Sequence, residues 1–238
     1  MTDPLDGFDW TTLYERYDAR CIGYQPSSPH LARFAVDRPA TDRSLYYRLV
    51  DAYSFAGRAR EADPVGVYKA LLYWKLYSQG TTPGMFRKWS EGGGFDRAAT
   101  ELPRLLAALP SHLDRDVESI VTLVKSLGDY RLPGMTSTTT IPVRSTFLHF
   151  AYPHMVPIFD RMVLRAIGEE RRDANRRYDI FKSYLPFAWQ LADRYASAGP
   201  GRPESPLRLL DMALWVHRGE AADAEPGTEP DAEECTRS

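Results

Sequence analysis

The sequence has little cysteine, little lysine and no long apolar segment. Its two cysteines, Cys21 and Cys235, lie far apart and lack the spacing of metal ligands, which argues against a disulfide framework and against an iron–sulphur centre. No apolar run approaches the roughly 20 residues that a membrane helix needs, and the acidic start does not resemble a signal peptide. We therefore expect a soluble, cytoplasmic protein with no membrane partner, no metal and no other cofactor.

Charge is unevenly distributed along the chain. Of the 30 basic residues, 25 are arginine and only 5 are lysine. Residues 1–219 contain 29 basic and 25 acidic residues, a net charge of +4, whereas residues 220–238 contain seven acidic residues and one basic residue. A charge of +4 is mildly basic and does not by itself indicate nucleic-acid binding. The composition of residues 219–238 predicts a disordered acidic tail.

The sequence also lacks any convincing alternation of apolar and polar residues, so it predicts no β-strands. Helical periodicity recurs throughout, and 29 large aromatic rings are available to fill a core. The predicted fold class is all-α, with residues 1–218 forming one multi-helix globular domain. The predicted helices cover residues 10–20, 31–36, 42–62, 64–76, 82–91, 96–109, 111–127, 143–151, 173–196 and 205–217.

Capping residues, glycines and prolines predict where several helices begin, end or bend. Asp63 followed by Pro64 is a strong N-cap signal for an apolar helix that we expect to be central. Three consecutive glycines at 92–94 predict a complete break in the chain. We expect Gly128 to cap the preceding helix and Pro186 to kink a long one.

The most informative stretch begins at Leu132-Pro133-Gly134. This glycine turn feeds an amphipathic helix, Tyr152-Pro153 ends that helix, and Asp160 then stands at the start of the next apolar helix. Free N–H groups at helix starts are where proteins hold phosphates. Residues 117–168 distantly resemble the helix-hairpin-helix DNA glycosylase superfamily, of the 8-oxoguanine glycosylase type.

The resemblance implies a DNA-repair protein in which the hairpin binds a DNA phosphate and Asp160 serves base excision. Two departures from the family pattern are visible. The hairpin is longer, because residues 135–140 intervene, and the second helix starts with Ile141, Pro142, Val143 and Arg144 where some relatives carry a catalytic lysine. The resemblance therefore implies a mono-functional N-glycosylase without lyase chemistry.

The candidate site has three parts. Asp160 is the candidate catalytic carboxylate, which would stabilise positive charge on the sugar or activate a water as a flipped base leaves. Candidate walls for that base are aromatic: Tyr73, Trp74, Tyr77 and Trp89, with Phe86 as a further member. Candidate DNA contacts carry hydroxyl groups, guanidinium groups or a flexible backbone: Gly134, Thr136, Thr138, Thr140, Arg144, Ser145 and Arg165.

Each of these residues also has a plain structural interpretation. Asp160 fits an N-cap that serves only its own helix, the threonines fit an ordinary loop, and the arginines fit a solvated surface. The preferred function is DNA binding through residues 134–145, with base excision at Asp160. The first alternative is a non-catalytic binding or interaction module on the same scaffold. The second is a helical protein whose partner is another protein.

Overall fold

The computed structural model describes residues 1–20, 41–77, 82–136, 140–169, 174–198 and 204–224. Within these ranges the chain is helical and contains no β-strand, which confirms the all-α prediction. The helices are α1 (Leu13–Arg20), α2 (Asp42–Tyr53), α3 (Phe55–Arg60), α4 (Pro64–Leu76), α5 (Thr82–Glu91), α6 (Gly94–Ala108), α7 (Val117–Ser126), α8 (Thr140–Ala151), α9 (Arg161–Ala166), α10 (Tyr178–Tyr195) and α11 (Pro206–Ala224). Short 3-10 turns cover Leu127–Tyr130 and Ala174–Arg176.

Helix α4 is central, as its sequence predicts. Asp63 caps it by accepting a 2.8 Å hydrogen bond from the Gly66 N–H, and Pro64 occupies its first turn. Apolar side chains cover most of its circumference, and it packs against α2, α6 and α8. A helix that is apolar nearly all round is stable only inside a core. The buried core is one contiguous cluster with members from every described α-helix except α3. No helix among the described residues is both long enough and apolar enough to span a bilayer.

The predicted helix over residues 42–62 is two helices that meet at Ser54. The Ser54 N–H closes α2 onto the carbonyls of Val50 and Asp51, and its hydroxyl caps α3 by accepting from the Gly57 N–H at 2.9 Å. A Cβ at Gly57 would stand 1.9 Å from the Asp51 carbonyl oxygen. The corner therefore depends on a serine that serves both helices and on a glycine that lets them approach.

The predicted break at residues 92–94 is also smaller than expected. Only Gly92 and Gly93 form a turn, and Gly93 adopts a left-handed φ of 66°, which glycine tolerates without strain. Gly94 already begins α6, where a Cβ would lie 3.3 Å from Pro133 Cγ. The start of α6 therefore packs directly on the turn at Pro133.

The remaining differences concern helix ends. Helix α1 begins at Leu13, and the predicted long helix at 173–196 is α10, preceded by a 3-10 turn and containing Pro186 in its interior. Helix α11 continues through Ala224, so the first residues of the predicted disordered tail have a helical backbone instead. The predicted helix at 31–36 and residues 225–238 of the tail lie outside the described residues.

Gly128 does not cap α7 as predicted. It lies inside the 3-10 turn Leu127–Tyr130, and a Cβ there would stand 2.6 Å from Nη2 of Arg144. That guanidinium donates to the Met135 carbonyl at 2.6 Å and to the Val124 carbonyl at 3.3 Å. The missing side chain therefore makes room for an arginine that joins the end of α7 to the next turn.

We expect Gly128→Ala to lower the free energy of unfolding by about 1–3 kcal/mol, because the new methyl group displaces a hydrogen-bonded guanidinium. Gly84→Ala in α5 is the matched control, since nothing lies within 4 Å of the added Cβ. The control should gain about 0.5–1 kcal/mol from higher helix propensity. Urea denaturation measures both variants, and an unchanged Gly128→Ala would contradict this role.

Candidate functional site at Asp160

Asp160 is placed by the segment that follows α8. The Tyr152 N–H donates to the Leu148 carbonyl at 2.8 Å as α8 ends, and after a turn at 153–155 the chain passes through the buried Val156, Ile158 and Phe159. The Phe159 N–H donates to Ser145 Oγ at 3.1 Å, which ties this segment back onto α8. The carboxylate is thereby delivered to the start of α9.

Both carboxylate oxygens of Asp160 have protein donors. Oδ1 accepts the N–H groups of Met162 at 2.9 Å and Val163 at 3.0 Å, so Asp160 is the N-cap of α9, as the plain interpretation predicts. Oδ2 accepts a hydrogen bond from Lys75 of α4. The side chains of Asp160 and Lys75 are 19% and 10% exposed, respectively. The site is therefore an ionic contact between α4 and α9 that solvent reaches at one edge.

The electrostatic balance keeps Asp160 ionised. Burial alone would raise the pKa of Asp160, because it penalises the charged form. The charge and hydrogen bond of Lys75, with the two backbone N–H groups, outweigh burial and lower the pKa below its ordinary value. At neutral pH the site therefore holds a carboxylate and not a carboxylic acid.

This balance gives a pH-dependent prediction. Because the pKa of Asp160 is lower in the folded protein, its contribution to stability is complete above the unfolded pKa of about 3.9 and is lost as the pH falls through the folded value. In Lys75→Met only the two backbone N–H groups still oppose burial, so the pKa of Asp160 should rise. We expect a loss of about 2–4 kcal/mol near pH 7 that shrinks towards about pH 4, where protonation removes the unpaired charge.

Urea denaturation of both proteins at the two pH values measures this difference. Lys182→Met is the matched control, because Lys182 pairs with Glu118 on the surface and should contribute about 0–1 kcal/mol at either pH. An equal loss at both pH values in Lys75→Met would contradict the assignment of Lys75 as the group that holds Asp160 ionised.

The predicted glycine turn is present and packs on α4 and α8. Gly134 adopts a φ of 75°, and the Met135 N–H closes the turn on the Leu132 carbonyl at 2.9 Å. The Pro133 carbonyl accepts a 2.6 Å hydrogen bond from the Tyr68 hydroxyl, which anchors the turn to α4. Thr136 is exposed just after the turn, and Thr140 is the first residue of α8, whereas Thr138 lies outside the described residues.

Two predicted DNA contacts have structural roles instead. Ser145 is completely buried and its hydroxyl bonds the backbone of Pro142 and Phe159, so the prediction that it contacts DNA is wrong. Arg144 is half-buried and its guanidinium donates to backbone carbonyls of α7 and of the turn. A phosphate would have to compete with those carbonyls for its N–H groups. Arg165 lies in the last turn of α9 and is half-buried.

Three of the predicted base-pocket aromatics pack with one another. Tyr73 and Tyr77 stack with ring centroids 6.4 Å apart and join a cluster with Phe86, which in turn contacts Trp89 at 5.6 Å. Successive helical residues are rotated by about 100°, so Tyr73 and Tyr77 lie on the opposite side of α4 from Lys75. This arrangement gives no support to the prediction that Tyr73, Tyr77 and Trp89 wall the Asp160 site.

Trp74 is also placed differently from the prediction. It is 7% exposed and packs edge-on against Phe150, with ring centroids 5.1 Å apart. The Arg208 guanidinium lies 5.3 Å from its ring centroid. Trp74 is therefore a core residue over a buried cation, with little surface left to stack on a base.

A buried polar network lies beneath Trp74. No sequence pattern predicted it. Arg208 is 1% exposed and donates to Asp42 at 2.9 Å, to the Tyr17 hydroxyl at 2.8 Å and to Asp211 at 2.5 Å. Its guanidinium also stacks over Tyr46, 4.4 Å from the ring centroid. These partners come from α1, α2 and α11, so the network holds distant segments of the chain together.

His149 is linked to this network through Tyr46. Its Nδ1 lies 2.7 Å from the Val156 carbonyl oxygen, which can only accept, so Nδ1 carries the proton. Nε2 then accepts from the Tyr46 hydroxyl at 2.8 Å. Burial lowers the pKa of His149 to about 3, so the ring is neutral and structural.

Lys75 is the site residue that the sequence interpretation missed. The available signal was that Lys75 is one of only two charged residues in α4, the other being Lys69, in a chain with only five lysines. A charged side chain in such a helix needs a partner.

Among the described residues no group of three or more His, Cys, Asp and Glu side chains is arranged to hold a metal ion. Comparison of the chain with protein-family profiles, with curated proteins and with solved structures finds no match.

Proposed function

We propose that this protein binds DNA and accepts an extruded nucleotide at Asp160, where it cleaves the base from the sugar without cutting the strand. One observation carries the proposal: Asp160 is held ionised in a largely buried position, yet 19% of its side chain reaches solvent. A carboxylate in a region of low dielectric strongly stabilises nearby positive charge. Departure of a base leaves such charge on the deoxyribose, and an extruded nucleotide brings it to a protein surface.

Lys75 determines which chemistry is available. A lysine amine can attack a sugar only with its lone pair, and the ion pair with Asp160 uses the ammonium form, which has none. Lys75 therefore supports the ionised carboxylate and does not supply a nucleophile. The proposed activity remains a mono-functional DNA N-glycosylase that needs no lysine nucleophile and no cofactor.

The DNA strand is proposed to contact the turn that precedes α8. Hydrogen bonding to Tyr68 and close packing on Leu72 support the Gly134 turn, where a Cβ would lie 3.2 Å from Leu72 Cδ2. Thr136 is exposed beside it. A well-supported turn next to a helix start is suited to hold a phosphate in a fixed position. A cytoplasmic location belongs to the same proposal, because that compartment gives access to DNA in cells without a nucleus.

Fluorescence anisotropy tests the DNA-binding part. The probes are an undamaged duplex and the same duplex with an abasic-site analogue, each at two salt concentrations. We expect tighter binding to the analogue, because extruding a nucleotide there costs less, and weaker binding to both at higher salt. Equal affinity for the two probes would contradict an extruded nucleotide, and no binding at low salt would contradict DNA as the partner.

A non-catalytic interaction module is the second candidate. Each carboxylate oxygen of Asp160 already has a protein donor, and the aromatic cluster faces away from it, which favours a structural aspartate. This candidate predicts DNA binding without base release. If the partner is instead another protein that docks on apolar surface, DNA binding should be absent and partner binding should vary little with salt.

A further inference from the structure

An open groove of about 630 Å³ lies between α6 and the 3-10 turn Leu127–Tyr130. Three of the residues that line it are arginines, Arg97, Arg104 and Arg131. Tyr130 and two acidic residues, Glu101 and Asp129, also line it. We call it the arginine groove. A groove with an excess of guanidinium groups and an aromatic hydroxyl suits phosphates joined in a chain.

The arginine groove adjoins the turn that the proposed function assigns to DNA. Arg131 directly precedes Leu132-Pro133-Gly134 in the chain. On the opposite wall, α6 starts at Gly94, where a Cβ would lie 3.3 Å from Pro133 Cγ. The Gly134 turn and the groove are therefore neighbours in the chain and in space.

The positive charge of the groove is available to a ligand. Within the part of the chain that the structure describes, the side chains of Arg97 and Arg131 form no ion pair and no hydrogen bond. Arg104 uses one nitrogen, Nη1, to bond both oxygens of Glu101, and its side chain is 68% exposed. Exposed pairs of this kind contribute little, so Arg104 can turn to a phosphate at small cost.

The backbone of Arg131 is a separate observation. Arg131 is the single non-glycine residue with positive φ among the described residues, with φ 49° and ψ 36°. This left-handed conformation ends the 3-10 turn, and glycine would adopt it without the steric penalty of a Cβ. The protein therefore keeps a long cationic side chain at a position where its backbone is strained, on the rim of the groove.

We propose that the arginine groove binds the sugar–phosphate backbone of DNA, with Arg97 and Arg131 as phosphate contacts. This inference rests on the proposed DNA binding and adds a second contact region to it. A comparable groove of about 570 Å³ lies between α2 and α3, but its arginines, Arg48 and Arg60, are balanced by Asp51 and Glu61. The arginine groove has three cationic and two acidic residues, so its net positive charge favours it over the other groove as the site for phosphates.

The test compares two double variants of equal charge on an undamaged 20-base-pair duplex, with anisotropy measured across a salt series. Arg97→Gln/Arg131→Gln should weaken binding by about tenfold at low salt and make the log–log salt slope less steep by about two, one for each lost phosphate contact. Arg48→Gln/Arg60→Gln, in the balanced groove, should change neither quantity. Equal effects of the two double variants would overturn the inference.

Two further variants sharpen the result. Asp129→Asn should tighten binding severalfold, because it removes a carboxylate that repels phosphate in the groove. Arg131→Gly should weaken binding while its melting temperature stays equal to or above that of the wild type, because the backbone strain is relieved. A fall in melting temperature would mean that Arg131 serves the fold, and would count against its assignment as a phosphate contact.

These measurements separate the two proposals. Wild-type binding to DNA with no response to the groove variants overturns the arginine groove and leaves DNA binding in place. Absence of wild-type binding at low salt overturns both. A preference for an acidic polypeptide over the duplex, lost in Arg97→Gln/Arg131→Gln, would assign the groove to a protein partner and overturn the assignment to DNA.

Discussion

Replacing Arg208 with methionine should lower the free energy of unfolding by about 3–5 kcal/mol. The guanidinium is 1% exposed and is the shared partner of Asp42 and Asp211, whose side chains are 3% and 16% exposed. Methionine fills much of the volume but removes the positive charge beside both buried carboxylates, although the Tyr17 hydroxyl still donates to Asp42 at 2.7 Å. Burial already raises the pKa of Asp211 and Arg208 opposes that rise, so loss of the arginine leaves its charged form strongly disfavoured.

Urea denaturation measures the loss against a matched control, Arg194→Met. Arg194 pairs with Asp3, but its side chain is 55% exposed, so the control should lose no more than about 1 kcal/mol. Adding Asp42→Asn and Asp211→Asn to Arg208→Met should recover part of the stability, because the two buried negative charges are then gone. A loss below about 1 kcal/mol in Arg208→Met would show that the buried network does not hold the helices together.

Asp160→Asn should reduce base excision by at least about 100-fold, while DNA affinity stays within a few-fold of the wild type. Asparagine keeps a side-chain oxygen that can accept from the Met162 and Val163 N–H groups, so the start of α9 is preserved. It lacks the negative charge that would stabilise the positive sugar. Asp160→Asn should therefore lower the rate of base excision while DNA affinity is largely retained.

The matched control makes the same chemical change at another helix start. Asp116 caps α7 by accepting a 2.7 Å hydrogen bond from the Ser119 N–H, and it is exposed. Asp116→Asn should leave excision unchanged. Single-turnover excision assays measure both variants, and equal rates for Asp160→Asn and the wild type would remove Asp160 from the chemistry.

The parts of the fold that could be predicted depend on local interactions. Asp63 and Pro64 predict the start of α4, because an N-cap and a proline stabilise the first turn of a helix through local interactions. Asp160 predicts the start of α9 for the same reason. The sequence did not predict the corner at Ser54, because that residue both ends α2 and caps α3. The corner also needs the close approach of Gly57 to the Asp51 carbonyl. The periodicity of apolar residues alone predicts one continuous helix across such a corner.

The parts of the site that could not be predicted depend on contacts between distant residues. Lys75 and Asp160 are separated by 85 residues, and no local pattern joins them. Arg144 resembles a phosphate ligand in sequence, but the missing side chain of Gly128 places its guanidinium against the carbonyls of α7. Tyr73 and Trp74 are neighbours in the chain, but Tyr73 faces a partly buried aromatic cluster and Trp74 faces the buried core. The rotation of about 100° per helical residue separates both from Lys75.

Base excision itself is tested by a single-turnover assay with wild-type protein in excess over a panel of duplexes, each carrying one damaged base. Product is detected as alkali-labile strand cleavage, with an untreated sample beside each reaction. We expect an abasic product from at least one substrate, with the strand intact before alkali treatment. Absence of abasic product from every duplex that the protein demonstrably binds would contradict the proposed activity and leave a non-catalytic DNA-binding module.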